Sequence, residues 1–218
     1  MCSSDLKMSQ QGSIVKFEIG GGGNIPSDGN PHKATIFHDD FSCQLNYVAI
    51  PRLVSFAYLQ AQAKNPANGA TLLPGTANIF RDEMFVGTTE LENIAPGQEF
   101  KLNLGIDEGI KIDRDLVDRQ VDKKFLSMAG NRQVNYGYRL TITNLRAQIT
   151  HLDLTEQIPH SRSEKIKVKL IKVTPQIPLG EMGVLTWSLD LPANGKVEIY
   201  YQFTIEHSQH TEIIGLDV

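Results

Sequence analysis

Successive side chains of a β-strand point to opposite faces, so a strand with one buried and one wet face alternates apolar and polar residues with period two. This chain repeats that period along most of its length. Val15, Phe17 and Ile19 alternate with Lys16 and Glu18. Val54, Phe56 and Tyr58 follow the same rule, as do Phe100, Leu102 and Leu104 around Lys101 and Asn103. Ile110 and Ile112 repeat it. Val134, Tyr136, Tyr138, Leu140 and Ile142 make the longest early run. Leu185, Trp187, Leu189 and Leu191 give another, and Val197, Ile199, Tyr201, Phe203 and Ile205 the last. Helix is the minority reading throughout.

Turn signals fall between the runs. Ser27-Asp28-Gly29-Asn30-Pro31, Asn65-Pro66-Ala67-Asn68-Gly69, Pro96-Gly97, Asn144-Leu145-Arg146 and Pro192-Ala193-Asn194-Gly195 all punctuate the chain. Gly and Asn tolerate positive φ and Pro presets φ, so such clusters reverse the chain with little strain. Arg81-Asp82-Glu83 between Ile79-Phe80 and Met84-Phe85-Val86 predicts a hairpin. About seven strand candidates precede residue 106 and six or seven follow it, and each set suits one sandwich of ~100 residues. The expected fold is therefore all-β: two tandem immunoglobulin/fibronectin-like β-sandwiches packed against each other. Residues 1–13 are expected to be a disordered or appended leader, 14–105 the first sandwich and 106–218 the second. Leu104 to Gly109 is the expected seam, unless the strand ending at Leu104 runs on into Ile110 and Ile112. No Pro/Ser-rich linker marks it. Asp122 to Arg132 breaks the alternation and predicts a long, mobile hairpin loop.

Hydrophobic residues make up 40% of the 218 residues and charged ones 21%, enough apolar material for a real core. The formal net charge of −4 argues against a nucleic-acid partner, because phosphate rewards a basic surface. No apolar run approaches the ~18 residues a membrane helix needs. Met1 to Gln10 lacks the apolar core of a signal peptide. The compartment stays unassigned.

The residues that could carry chemistry are few. Gly20 to Gly23 is followed by Asn24-Ile25-Pro26, not by the Gly-Lys-Ser/Thr of a phosphate loop, and reads as a flexible turn. His38-Asp39-Asp40 reads as a solvated turn, with His38 and Asp40 on one face as the residues that could hold an ion. Asp107, Glu108, Asp113 and Asp115 are acidic but lack the spacing of a calcium loop. Asp107 and Asp113 complete the short set of ion-site candidates, and no metal or cofactor is expected. Lys123, Lys124 and Arg132 are expected to pair with the acidic residues across the hairpin. His207 and His210, with the other histidines His32, His38, His151 and His160, are expected at the surface. Ser161 beside His160 lacks a nucleophile elbow. Of the two cysteines, Cys2 and Cys43, the second is expected to be a small core residue. Trp187 is expected to anchor a core, and of Tyr200-Tyr201 one ring should be buried and one wet.

Ile25-Pro26-Ser27-Asp28-Gly29, Val48-Ala49-Ile50-Pro51-Arg52, and Tyr58 with Asn65-Pro66 come in a known order. Leu72-Leu73-Pro74-Gly75, Phe80-Arg81-Asp82, Phe85-Val86-Gly87, Ala95-Pro96-Gly97, Leu104-Gly105-Ile106-Asp107 and Trp187 with Leu191-Pro192 continue it. From Ile14 to Glu206 the chain resembles the C-terminal domain of the mucoidy-inhibitor A-like family, a bacterial family of uncharacterised function. Asp82-Glu83 stands where that family has Asp-Gly, and the glycine run is a second departure. The resemblance implies a β-sandwich and carries no catalytic residue or cofactor. It also implies an N-terminal domain and a coiled coil upstream, so the chain looks like an excised C-terminal portion. Leu140 to Asn144, Ile149 to Leu154 and Gln157-Ile158-Pro159 are similar to bacterial immunoglobulin-like modules.

These readings lead to a non-enzymatic binding or structural module acting through protein–protein contacts. Self-association would run through the upstream region, and neither nucleic acid nor membrane insertion is expected. The alternative is a hydrolase of glycans or peptides that uses Asp39, Asp40, Asp107 and His38, since glycosidic chemistry needs paired carboxylates across one cleft.

Overall fold

The computed structural model describes residues 6–11, 14–19, 26–33, 35–121, 131–208, 211, 213 and 215, the first two spans by their backbone alone. The strands are β1 (Leu6–Gln11), β2 (Ile14–Ile19), β3 (Cys43–Ala49), β4 (Phe56–Lys64), β5 (Gly75–Arg81) and β6 (Met84–Leu91). They continue with β7 (Glu99–Val121), β8 (Asn131–Asn144), β9 (Thr150–Gln157), β10 (Ile166–Thr174), β11 (Val184–Leu191) and β12 (Lys196–Ser208). A 3-10 turn, Glu181–Gly183, precedes β11. No α-helix occurs among the described residues, and the chain is all-β as its period-two pattern predicts. Strands β1 and β2 form one pair, β5 and β6 another, and the other eight make a sheet ordered β10-β12-β8-β7-β4-β3-β9-β11. Strand β1 lies within the expected leader and pairs with β2 from Leu6↔Ile19 to Gln11↔Ile14. Strand β7 runs unbroken through the expected seam at residues 104–109. The calls on Cys2, Gly20 to Gly23, Lys123, Lys124 and His210 lie outside the described residues, as does most of the expected loop, while Arg132 belongs to β8.

The chain divides into two compact units, Met1–Gln44 with Ala61–Leu102, and Leu45–Gln60 with Asn103–Val218. The second unit thus takes residues 45–60 from the first expected half.

In the first unit, β5 and β6 form the predicted hairpin, with Arg81↔Met84 as its last pair. Asp82 and Glu83 both carry positive φ, 48° and 66°, the geometry that matches the twist of a two-residue hairpin. The Phe80 and Phe85 rings meet edge to face at 5.6 Å near this turn. At the hairpin base the buried Asn65 amide donates to the Ala70 and Ile94 carbonyls at 2.9 and 3.3 Å. Cys43 is exposed, which corrects its expected place in a core: the first residues of β3 have no buried face.

In the second unit, β8 and β12 pair from Lys196↔Thr143 to Ser208↔Asn131. Their alternation buries Tyr136, Tyr138, Leu140 and Ile142 against Ile199, Tyr201 and Phe203. Tyr138 stacks on Tyr201, and Tyr136 on Phe203, each at 5.3 Å between ring centres. Leu152, Leu154, Leu185, Trp187 and Leu191 of β9 and β11 complete that core. Tyr201 is the buried ring of its pair and Tyr200 the partly exposed one, as the alternation requires. His207 lies in β12 and is 9% exposed, not at a frayed surface end, because β12 runs through Ser208.

The end strands of the large sheet, β10 and β11, are consecutive in the chain. Their link places the Pro175 carbonyl 3.2 Å from the Trp187 indole Nε1, which donates to it. Strand β10 carries Lys167, Lys169 and Lys172 and a register shift between Leu170 and Lys172. Lysines and bulges are devices that discourage a further strand from adding to an edge. Strand β11 has neither: its register with β9 is continuous.

Candidate functional site

Strands β9 and β11 pair antiparallel from Val184↔Gln157 to Leu191↔Thr150. On β9, Thr150, Leu152, Leu154 and Glu156 are buried, so His151, Asp153 and Thr155 face outward. On β11, Leu185, Trp187 and Leu191 are buried, so Thr186, Ser188 and Asp190 face outward on the same side. The register sets His151 opposite Asp190 and Ser188 opposite Asp153. The tripeptides His151-Leu152-Asp153 and Ser188-Leu189-Asp190 therefore lie side by side in opposite directions and bring four polar side chains into one square.

Contacts in that square are direct. His151 Nδ1 lies 2.8 Å from Asp190 Oδ1, and His151 Nε2 lies 2.9 Å from Ser188 Oγ. Ser188 Oγ donates to Asp153 Oδ1 at 2.8 Å, and His151 Nε2 is 3.6 Å from that oxygen. Asp153 Oδ2 accepts from Asn46 Nδ2 of β3 at 2.5 Å; β3 runs parallel to β9 with Val48 beside Asp153. A carboxylate accepts only, so Asp190 fixes the hydrogen of a neutral imidazole on Nδ1. Nε2 then turns its lone pair toward the Ser188 hydroxyl, which reaches two acceptors, His151 and Asp153. The square is open to solvent: the side chains of His151, Asp153 and Asp190 are 47%, 39% and 77% exposed.

Beside it lies a groove of about 400 Å³ whose walls include Val48, Ile50, Leu53, Val54 and Tyr58. Leu53 is 73% exposed there. Asp153 lines the groove too, so one carboxylate belongs to both features.

Inside the same unit a second polar cluster surrounds a carboxylate that is closed to water. Glu156 is 0% exposed. Its Oε1 accepts from Arg114 Nε at 3.1 Å and its Oε2 from the Tyr201 hydroxyl at 2.9 Å. Arg114 also donates to the Tyr201 oxygen at 3.1 Å and stacks 4.0 Å above the Tyr138 ring. Burial pushes the Glu156 carboxyl up from its ordinary value, against the pull of Arg114 and the Tyr201 hydroxyl. Burial, with the Glu156 charge, also pushes the Tyr201 phenol up. Both bonds to Glu156 serve its charge, and the cluster ties together β7, β9 and β12.

The residues singled out in the sequence fall elsewhere. His38, Asp39 and Asp40 are exposed in an irregular segment of the first unit, where Asp39 Oδ1 accepts from the Asp40 N–H at 3.0 Å. Asp113 and Asp115 are exposed on β7. Asp107 is 4% exposed and paired with Arg146, and it accepts from the Gly109 N–H at 2.9 Å and from Tyr47 Oη at 3.3 Å. That makes Asp107 the anchor of a turn. Among the described residues no group of three or more His, Cys, Asp or Glu side chains is arranged to hold a metal ion. The residues that the fold does assemble, Ser188, His151, Asp190 and Asp153, went unnoticed as a group in sequence reading. The available signal was the pair of short alternating tripeptides, one polar–Leu–Asp on each of two amphipathic strands.

A protein of Caenorhabditis elegans, "Protein F37C4.5", is 27% identical over 210 residues, which is 91% of this chain and 37% of that protein. The chain therefore spans little more than a third of that relative. No solved structure matches it. Residues 3–209 match the family model "Domain of unknown function (DUF4139)", and the chain belongs to that family.

Proposed function

We propose that the chain is a β-sandwich binding module acting through protein–protein contacts, and that the groove of the second unit takes an extended peptide. In this reading the second unit is an immunoglobulin-like sandwich, with β8 and β12 facing β9 and β11 across the aromatic core. The likeness to the mucoidy-inhibitor A-like family, carried by the ordered short motifs, is part of the same proposal.

The observation that carries it is the pairing of an apolar wall with an acidic end. Val48, Ile50, Leu53, Val54 and Tyr58 line the groove together with Asp153, with Asp190 on the strand next to that of Asp153. Anchors of protein interfaces are large apolar or aromatic side chains set in such pockets, with charges at the rim that select the partner. The matching occupant is a segment bearing a large apolar side chain next to Lys or Arg.

Selection from a library of displayed random peptides tests this. Peptides with an apolar–basic pair should be enriched. Leu53→Asp should abolish their binding and Asp153→Asn should weaken the preference for the basic residue. Failure to enrich any motif, or enrichment untouched by Leu53→Asp, would overturn the assignment.

A further inference from the structure

We propose that Ser188 is a nucleophile and that the outer face of β9 and β11 carries out acyl transfer on esters. This goes beyond binding, and it rests on the groove only for the choice of acyl group. None of the short motifs contains a catalytic constellation; the strand register builds one. A hydroxyl becomes a useful nucleophile when a base can take its proton and a third group holds that base in place. Ser188 Oγ lies 2.9 Å from His151 Nε2, and Asp190 holds Nδ1 of the same ring at 2.8 Å. These are the nitrogens, in the roles, that a serine–histidine–carboxylate system requires. The three residues come from two paired strands and not from a mobile loop, which sets their separation by the sheet.

Two further features fit. Strand β11 is terminal in its sheet, so alternate N–H groups along it point away from β9, and donors so placed are the kind that stabilise a developing oxyanion. Asp153 touches Ser188 and also lines the groove, so an acyl chain lying against Val48, Ile50 and Leu53 would bring its carbonyl toward Ser188. Asp153 is a positioning residue here: it holds the hydroxyl when no substrate is present.

The step balances. Ser188 Oγ attacks the carbonyl carbon of an ester, and its proton passes to His151 Nε2. The carbon–oxygen bond to the leaving alcohol breaks, and that alcohol takes the proton from Nε2. Water, deprotonated by the same nitrogen, then attacks the acyl-serine, releases the carboxylic acid and returns the proton to Ser188.

A fluorophosphonate probe reports on the nucleophile directly, because the serine oxygen displaces fluoride and stays bonded to phosphorus. With the full chain, mass spectrometry should find one adduct on the peptide holding Ser188 and none on Ser161 or Ser163. Ser188→Ala should abolish it. His151→Ala should slow it by about 100-fold, the lower end of what a general base supplies, and Asp190→Asn should slow it by about 10-fold or more. All three side chains lie on the solvent side of the sheet, and an unchanged melting temperature will confirm that each variant is folded. Leu53→Asp should raise KM for long-chain nitrophenyl esters more than for the acetate. No adduct on the wild-type chain, or an adduct rate untouched by His151→Ala, would overturn the proposal. Peptide binding that persists in Ser188→Ala, where labelling is lost, separates this inference from the binding reading.

Discussion

Strand β9 carries charged residues on both faces, and they obey different physics. Inward, Glu156 is sealed from water and held by Arg114 and Tyr201. Outward, His151 and Asp153 stand in solvent and meet Ser188 and Asp190. Positions of opposite parity along one strand separate them. On the inner face a carboxylate keeps its charge only because a guanidinium and a phenol replace the water it has lost. On the outer face the same kinds of group are screened by solvent, so they contribute little to stability and remain available to a ligand. Charge burial and solvent-exposed polar contacts are thus divided between the two sides of a single element.

Removing one inner partner should give the largest effect. Arg114→Met strands the Glu156 charge in the core and should cost about 3 kcal/mol at pH 7, read by urea denaturation; a loss well under 1 kcal/mol would break the contrast between the faces. Its pH dependence follows from the raised Glu156 value. A raised carboxyl contributes stability that is present below its unfolded value, taken as 4.5, and that is lost as pH rises through the folded value. Arg114 pulls the carboxyl down, so the variant raises it further. The gap between variant and wild type should therefore narrow as the buffer is taken from pH 7 down toward 4.5.

Replacing both partners should recover much of that loss. Arg114→Met with Glu156→Leu removes charge and counter-charge together, and should lie within about 1–2 kcal/mol of wild type. A double variant as unstable as the single one would mean that packing, not charge, sets the cost. On the outer face His151→Ala should shift stability by less than about 1 kcal/mol, measured in the same denaturation series. Smallest of all is Tyr138→Phe. The Tyr138 hydroxyl is buried with no hydrogen-bond partner among the described residues. Deleting an unsatisfied hydroxyl should change stability by no more than about 0.5 kcal/mol in the unfavourable direction, or improve it.

Much of this architecture was legible in the chain. The run from Val134 to Ile142 and the run from Val197 to Ile205 named their own buried residues, and the Arg81-Asp82-Glu83 turn gave the hairpin. Local rules suffice there, because burial alternates with the pleat. What the sequence left open was partnership. His151 and Asp190 are 39 residues apart, and only the register of β9 with β11 makes them neighbours. Arg114 and Glu156 are 42 apart and lie on strands that are not adjacent in the sheet. Asp107 drew notice for its acidic neighbours, yet its partner Arg146 sits in a turn read only as punctuation. Cys43 was placed in a core because it begins an apolar run, and the start of β3 has no covered face. Period two tells which side a residue takes, not whom it meets.

The hydrogen bond from Asn46 to Asp153 joins residues 107 apart in the chain. Closing so long a loop costs entropy that nearby pairings avoid, so contacts of this kind form late in folding. The β3–β9 junction is where the groove acquires Asp153 as part of its wall. A nascent or half-unfolded chain, even one with the β8–β12 ladder in place, would offer no such groove. A ligand of that groove would distinguish finished molecules from unfinished ones, and its occupancy would report on the completeness of the fold.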